Sequence, residues 1–256
     1  FFYAGGLPAL MHELGDKLDL SAITVTGRPL CDSLKEAPNY NQDVIRPLSN
    51  PVYPEGSLAV LKGNLAPNGA VIKPAAMEPK FMRHRGPALV ADSYNDLKQI
   101  INDPEATITA DHVLILRNAG PQGGPGMPEW GMIPMPQRLL NEGHRDMVRL
   151  SDARMSGTSY GACILHVSPE AFVGGPLALI ISGDMISLDV PSRSLNVELT
   201  EDELAERRAA WVQPKPRYQR GYGWIFSKHI EQADKGCDFD FLSTEFGEPV
   251  PEPDIN

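Results

Sequence analysis

Leu58-Ala59-Val60-Leu61-Lys62-Gly63-Asn64-Leu65-Ala66-Pro67-Asn68-Gly69-Ala70-Val71-Ile72-Lys73 decides the fold class. Two apolar runs flank an Asn-Gly dipeptide, and both of those residues accept positive φ, so the stretch predicts a β-hairpin. Beyond it, short apolar runs recur at 87–91, 112–116, 162–167, 176–181, 185–190 and 195–199. Each is bounded by Gly, Pro, Asp or Ser, which gives about eight expected strands. Helices are fewer. Ser93-Tyr94-Asn95-Asp96 resembles a capping box before Leu97, Ile100 and Ile101, and Thr200-Glu201-Asp202-Glu203 is a second one before Leu204. Residues 222–234 carry Trp224, Ile225, His229 and Ile230 at helical spacing. The expected class is mainly β with flanking helices (α+β), built as a closed or nearly closed β-barrel of about eight strands.

Towards the N-terminus, residues 7–14 predict a short helix that tolerates Pro8 in its first turn. Residues 22–26, Ala-Ile-Thr-Val-Thr, are β-rich and end at Gly27. The polar stretch that follows carries Pro38, Pro47, Pro51 and Pro54 and reads as a linker. The expected organisation is therefore the tail of one domain at 1–34, a linker at 35–56, and a barrel domain at 57–256. Phe1-Phe2-Tyr3-Ala4-Gly5-Gly6 has no initiator Met and no basic segment before a long apolar one. It is not read as a signal peptide but as a chain cut inside a larger protein. The Pro-rich tail at 249–253 is expected to be irregular.

Composition narrows the class. The 256 residues are 42% hydrophobic and 22% charged, values of a globular chain able to bury a large core. Formal charge is −10 with no basic face, which argues against a nucleic-acid partner. Cys31, Cys163 and Cys237 are far apart, odd in number and without a CxxC pair. That fits reduced thiols in the cytoplasm better than a disulfide framework or a zinc site. No apolar run reaches the ~18–20 residues that would span a bilayer, so no membrane partner is expected.

Two segments are too unusual to be ordinary core. The first, Arg117-Asn118-Ala119-Gly120-Pro121-Gln122-Gly123-Gly124-Pro125-Gly126-Met127-Pro128-Glu129-Trp130, follows an apolar run and holds four glycines and three prolines. Such a loop exposes backbone amides and can approach a ligand closely. It presents Glu129, a carboxylate able to serve as a hard-oxygen ligand for Mg2+. The plain alternative is a tight surface loop with a solvated Glu. The second, Leu150-Ser151-Asp152-Ala153-Arg154-Met155-Ser156-Gly157-Thr158-Ser159-Tyr160-Gly161, gathers hydroxyls with a guanidinium and a carboxylate. Its hydroxyls can hold a polyol or act as nucleophile or base. The plain alternative is a polar turn with Asp152 and Arg154 paired. Ser156 stands in Met-Ser-Gly rather than a Gly-x-Ser-x-Gly elbow and has no partner His at a recognisable spacing, which disfavours a hydrolase. His84 lies in a basic turn, His12 and His229 fall on expected helices, and His112, His144 and His166 lack metal-ligand spacing.

Taken together, Asn50-Pro51 with residues 55–70, then Gly123-Gly124-Pro125-Gly126-Met127-Pro128-Glu129 and Asp152-Ala153-Arg154-Met155-Ser156-Gly157, resemble the C-terminal domain of the dihydroxy-acid and phosphogluconate dehydratase family. The resemblance runs in the right order over nearly the whole chain. It implies a barrel of the swivelling β/β/α type, preceded by the tail of an α/β domain. In that family the N-terminal domain holds a 2Fe-2S cluster on three cysteines, most Mg2+ ligands and a carbamylated lysine. None of the three cysteines here matches the cluster motifs. Carried over, Glu129 corresponds to the carboxylate that ligates Mg2+, Ser156 to the serine that takes the C2 proton, and Thr158 to the hydroxyl that assists beside it. The implied activity is that of a hydro-lyase converting an aldonate to a 2-keto-3-deoxy acid, with this fragment inactive alone. Tyr218-Gln219-Arg220-Gly221-Tyr222-Gly223 and Gln232 to Leu242 resemble the sugar-acid branch, which favours a pentonate such as arabinonate or xylonate. The branched-chain enzymes usually read Asp-Gly-Arg-Phe-Ser-Gly at the second motif. The alternatives are a dihydroxy-acid dehydratase of branched-chain amino-acid biosynthesis and a non-catalytic barrel domain for binding or assembly. Implied partners are the sugar acid, the protein's own N-terminal domain and further copies in a homodimer or homotetramer.

Overall fold

The computed structural model describes residues 1–103 and 105–242, so the tail expected at 249–253 lies outside the described residues. The chain forms two units, one from Phe1 to Gly56 and one from Ser57 onward. In the first, α1 (Gly6–Leu14) and α2 (Leu30–Leu34) are short. Pro8 sits in the first turn of α1, where a missing N–H costs no helical bond. Ala4, Ala9 and Ile45 form a small buried cluster. The β-rich residues 22–26 make no strand. Ile23 pairs with Pro29 only as an isolated bridge, because Gly27 turns the chain back at a φ of 72°.

The described residues of the second unit hold eight strands: β1 (Ala59–Leu61), β2 (Gly69–Ile72), β3 (Arg83–Ala91), β4 (Val113–Leu116), β5 (Arg149–Ser151), β6 (Cys163–Ser168), β7 (Met185–Asp189) and β8 (Ser194–Val197). Its helices are α3 (Tyr94–Asn102), α4 (Gln137–Asn141), α5 (Glu201–Ala210) and α6 (Gly221–His229). The sheet runs β1-β2-β6-β5-β4-β3-β7-β8. Strands β3, β4, β5 and β6 are mutually parallel, and the flanking pairs are antiparallel. The two edge strands meet at Lys62 and Ser194. The Lys62 N–H donates to Arg193 O and the Leu195 N–H to Lys62 O, both at 2.9 Å. The mixed sheet thus nearly closes into a barrel, which removes the exposed edges that open sheets must protect.

The opening hairpin forms with Ala59 opposite Ile72 and Leu61 opposite Ala70. Its connection is longer than the Asn68-Gly69 dipeptide predicts, because residues 62–64 are drawn to β8. A side chain on Gly63 would put its Cβ 2.0 Å from Leu195 O, so only glycine permits that approach. The count of eight strands is met with a different membership. Residues 176–181 form no strand; Pro176–Leu179 is a 3-10 turn whose Leu177 joins Ile180 in the core. The eighth strand is instead β5, which Arg149 and Ser151 conceal in the sequence.

The residues of β4 explain where the cores lie. Val113 and Ile115 face the barrel interior with Leu61, Ile164 and Leu188. Leu114 and Leu116 face outward beneath Leu97 and Ile101 of α3. A parallel strand covered on both faces reads as an unbroken apolar run. Each such side chain contributes roughly 1.5–3 kcal/mol on burial. The capping box at Thr200 and Glu203 is complete, whereas the Ser93 hydroxyl caps α3 by accepting the Asp96 N–H and itself donates to the Asp96 carboxylate. Helix α6 ends at His229, short of the 222–234 expected, and Ile230 pairs with Phe239 in an isolated bridge. Among the described residues no helix is long and apolar enough to cross a membrane.

Candidate functional site

Strand order brings the two unusual segments together. Leu116 lies opposite Ser151 in the parallel β4–β5 pair, so the segments leave adjacent carboxyl ends of the sheet. Parallel strands place such loops on one rim, where ligands of open α/β sheets also gather. Strand β6 is parallel to β5 and sends a third loop, with Glu170, from the same rim. The first two loops then run back over the outer face of the sheet. Ala119, Ile133 and Ala153 pack there against Leu114 and Leu116. Gly131 lies so close to Arg154 that a Cβ would be 2.7 Å from its carbonyl oxygen.

Two buried carboxylates hold these loops. Glu170 accepts the N–H groups of Gln122 and Gly123, both at 2.9 Å, and the Gln232 amide at 2.8 Å. Asp152 accepts those of Asn118 at 3.2 Å and of Ala119 and Ala171 at 2.9 Å. The glycine-rich loop therefore turns these amides inward to protein carboxylates rather than outward to a ligand. Asp152 is not the partner of Arg154. Burial and the charge of Glu170 raise the Asp152 pKa to about 7, against the three N–H donors that favour the ionised form. Burial raises Glu170 too, opposed by its loop N–H bonds and Gln232.

Glu129 pairs with Arg154 across the two loops, and both side chains are about half exposed. Arg154 is two residues before Ser156. The Ser156 hydroxyl lies 3.1 Å from that of Thr158 and accepts the Thr158 N–H at 3.3 Å. The structure thus pairs Glu129 with Arg154 across the two loops and places Ser156 and Thr158 together just beyond Arg154 on the second. His166 of β6 orients that second loop: its Nε2 accepts the Met155 N–H at 2.9 Å. Burial and the nearby Arg154 hold its pKa below the usual value, which keeps Nε2 free to accept. Beneath the loops, Arg149 donates to Asp146 at 3.0 Å and also to Ile133 O and Tyr160 O, at the ends of both. Sequence reading missed Glu170, His166, Arg149 and Asp146 as site supports. Their common signal is a charged or titratable residue inside or beside an apolar run.

The other candidates disperse. His12 contacts Leu34 O, His84 contacts Asp111 O, His112 contacts Thr109, and His229 faces Asp240. Cys163 is buried with its thiol on Tyr160 O, Cys237 touches the Met127 sulfur, and Cys31 belongs to the first unit. Among the described residues no three His, Cys, Asp or Glu are grouped to hold a metal. Glu129 offers hard carboxylate oxygens but is paired with Arg154, and the three cysteines lie apart with separate partners. A groove of about 780 Å3 opens between Tyr94, Trp130 and Trp211, with Lys215 and Arg217 on its wall. Tyr94 and Trp130 stack at 5.9 Å. Glu129, Ser156 and Thr158 do not line this groove.

Known proteins resemble this chain in sequence. The chain is 52% identical over its whole length to a 6-deoxy-6-sulfo-D-gluconate dehydratase of Pseudomonas putida, covering 44% of that protein. It is 47% identical to an L-arabonate dehydratase of Azospirillum brasilense, over 98% of this chain and 45% of the relative. A dihydroxy-acid dehydratase of Methanothrix thermoacetophila is 44% identical over 91% of this chain and 43% of its own length. The chain thus spans less than half the length of these curated relatives. The family described as dihydroxy-acid/6-phosphogluconate dehydratase C-terminal matches residues 43–237. With that match over the barrel and both loops, the chain belongs to the dihydroxy-acid/6-phosphogluconate dehydratase family.

Proposed function

We propose that this chain is the C-terminal part of a sugar-acid dehydratase that converts an aldonate, in our reading a pentonate, to a 2-keto-3-deoxy acid. The observation that carries the reading is the Glu129–Arg154 pair, which joins two loops from adjacent parallel strands just before Ser156 and Thr158. Ser156 Oγ, as its alkoxide, takes the C2 proton, the C3–O bond breaks, and the departing hydroxide takes up that proton from Ser156 to leave as water. The resulting enol tautomerises to the keto acid. Serine is a weak base at its usual pKa, so donors and positive charge near Oγ are needed to stabilise the alkoxide. Thr158 supplies one such donor through its N–H. Glu129 is one ligand of a Mg2+ ion whose other ligands, like those of a 2Fe-2S cluster, lie in a domain outside these residues. When bound, those groups supply Lewis acidity to the substrate's oxygens. In this reading residues 1–34 are the tail of that α/β domain and 35–56 the linker. The whole protein works in the cytoplasm as a homodimer or homotetramer, and the fragment alone does not turn over.

The substrate choice favours aldonates over branched dihydroxy acids because the two more similar relatives named above act on sugar acids by name. Assay of the full-length protein on L-arabinonate, D-xylonate, 6-deoxy-6-sulfo-D-gluconate and 2,3-dihydroxyisovalerate tests this. Preference for 2,3-dihydroxyisovalerate overturns the substrate class. Unchanged turnover on Ser156→Ala removes the base.

A further inference from the structure

The hairpin that opens the barrel ends on Lys73, a residue with no role in the reading above. Lys73 follows β2, and β2 pairs with β6, so its ammonium reaches the loop that precedes β6. Its Nζ donates to Ser156 O and Gly157 O at 2.9 Å and to Ser159 O at 3.4 Å. The Ser159 N–H donates back to Ser156 O at 3.1 Å and closes the turn. All the hydrogen bonds of one ammonium thus converge on the turn that carries Ser156 and Thr158.

The peptide unit between Gly157 and Thr158 shows what this convergence achieves. A trans peptide fixes its C=O and N–H in opposite directions. Lys73 captures the Gly157 carbonyl, so the Thr158 N–H must point away from Lys73. In that direction it meets Ser156 Oγ, at 3.3 Å. A cation bound to the carbonyl also polarises the peptide and strengthens its N–H as a donor. A donor fixed on a hydroxyl oxygen favours the alkoxide over the alcohol. We infer that Lys73 is the positioning residue for Ser156: by gathering the Ser156, Gly157 and Ser159 carbonyls it aims the Thr158 N–H at Oγ and readies Ser156 as a base. The inference rests on the reading of Ser156 as the base. It also gives the Gly63–Lys73 segment a function beyond closing the barrel.

The test uses the full-length enzyme with its metals, on the aldonate it turns over best, with and without deuterium at C2. Lys73→Met is expected to lower kcat by about 100-fold, the scale of a misplaced reacting group. Its KM stays within about 3-fold, because the lost interaction matters only as the proton moves. The C2 isotope effect on kcat rises as proton abstraction becomes slower. Lys73→Arg keeps the charge and N–H donors and is expected to return kcat to within about 10-fold of wild type. Thermal melts accompany each variant; if Lys73→Met does not fold, Lys73→Gln is read in the same way. An inactive Ser156→Ala beside a Lys73→Met with wild-type kcat and isotope effect overturns the role of Lys73 alone. Full activity in Ser156→Ala overturns the reading of Ser156, and this inference with it.

Discussion

The carboxylate of Asp152 accepts the backbone N–H of Ala119 at 2.9 Å and so fastens the loop after β5 to the loop after β4. The same carboxylate holds Asn118 and Ala171, so one side chain joins three loops of the rim.

The Asp152 proton follows from that burial. Its folded pKa is raised to about 7 from an ordinary 3.8. A raised pKa means its contribution to stability is complete below the ordinary value and is lost as pH rises through about 7. Asp152→Asn keeps one acceptor and cannot ionise. Wild type should therefore lose stability relative to Asp152→Asn between about pH 4 and pH 7 in denaturant unfolding. A difference that stays constant with pH would show that Asp152 does not titrate in this range. Asp152→Ala, which leaves three N–H groups without an acceptor, should cost about 2–4 kcal/mol.

His166 predicts the opposite slope. Its folded pKa lies below the ordinary 6.5, with burial as the first cause and Arg154 the second. Its contribution is therefore complete above about 6.5 and is lost as pH falls through the folded value. Protonation also removes the acceptor that holds Met155 N–H. His166→Asn tolerates the backbone φ of 55° and carries no titrating group. Wild type should lose stability relative to this variant as pH falls below about 6.5. Parallel stability curves would rule out the neutral imidazole as the acceptor.

How much of this was legible depends on whether a residue acts through pattern or through partners. The apolar run of β4, the Thr200 capping box and the two loops with Glu129, Ser156 and Thr158 all announce themselves locally. Strand β5 did not, because Arg149 and Ser151 break its apolar period and their partners, Asp146 and the loop ends, are visible only in three dimensions. Residues 176–181 misled in the other direction. Pro176, Leu177, Leu179 and Ile180 are apolar because they are buried, and Pro176 opens a turn there instead of a strand. Glu170 was invisible for the same reason as Arg149: its meaning lies in the N–H groups of Gln122 and Gly123, which sequence distance hides.

The buried Arg149–Asp146 pair sets a third expectation. Both side chains are only 2–3% exposed, and Asp146 also accepts N–H groups from Glu78, Met147 and Ala162. Arg149→Met leaves a buried carboxylate without its cation and should destabilise the protein by about 3–5 kcal/mol. The double variant with Asp146→Asn should cost less than the sum of the two single changes by about 1 kcal/mol or more. Additive losses in urea unfolding would mean the two groups act independently.

Glu129 should behave in the reverse manner, as a residue with function and little structural weight. Its side chain and that of Arg154 are about half exposed, and exposed ion pairs contribute about 0–1 kcal/mol. Glu129→Gln should therefore leave the unfolding midpoint of the full-length protein nearly unchanged. If Glu129 is a Mg2+ ligand, the same variant should bind Mg2+ about 10-fold or more weakly and lose most of its turnover. Calorimetric titration of the metal-stripped protein reads the first effect, and a keto-acid assay reads the second. Wild-type Mg2+ affinity in Glu129→Gln would assign the carboxylate to Arg154 alone, and the loop that carries it would then serve only to cover β4–β6.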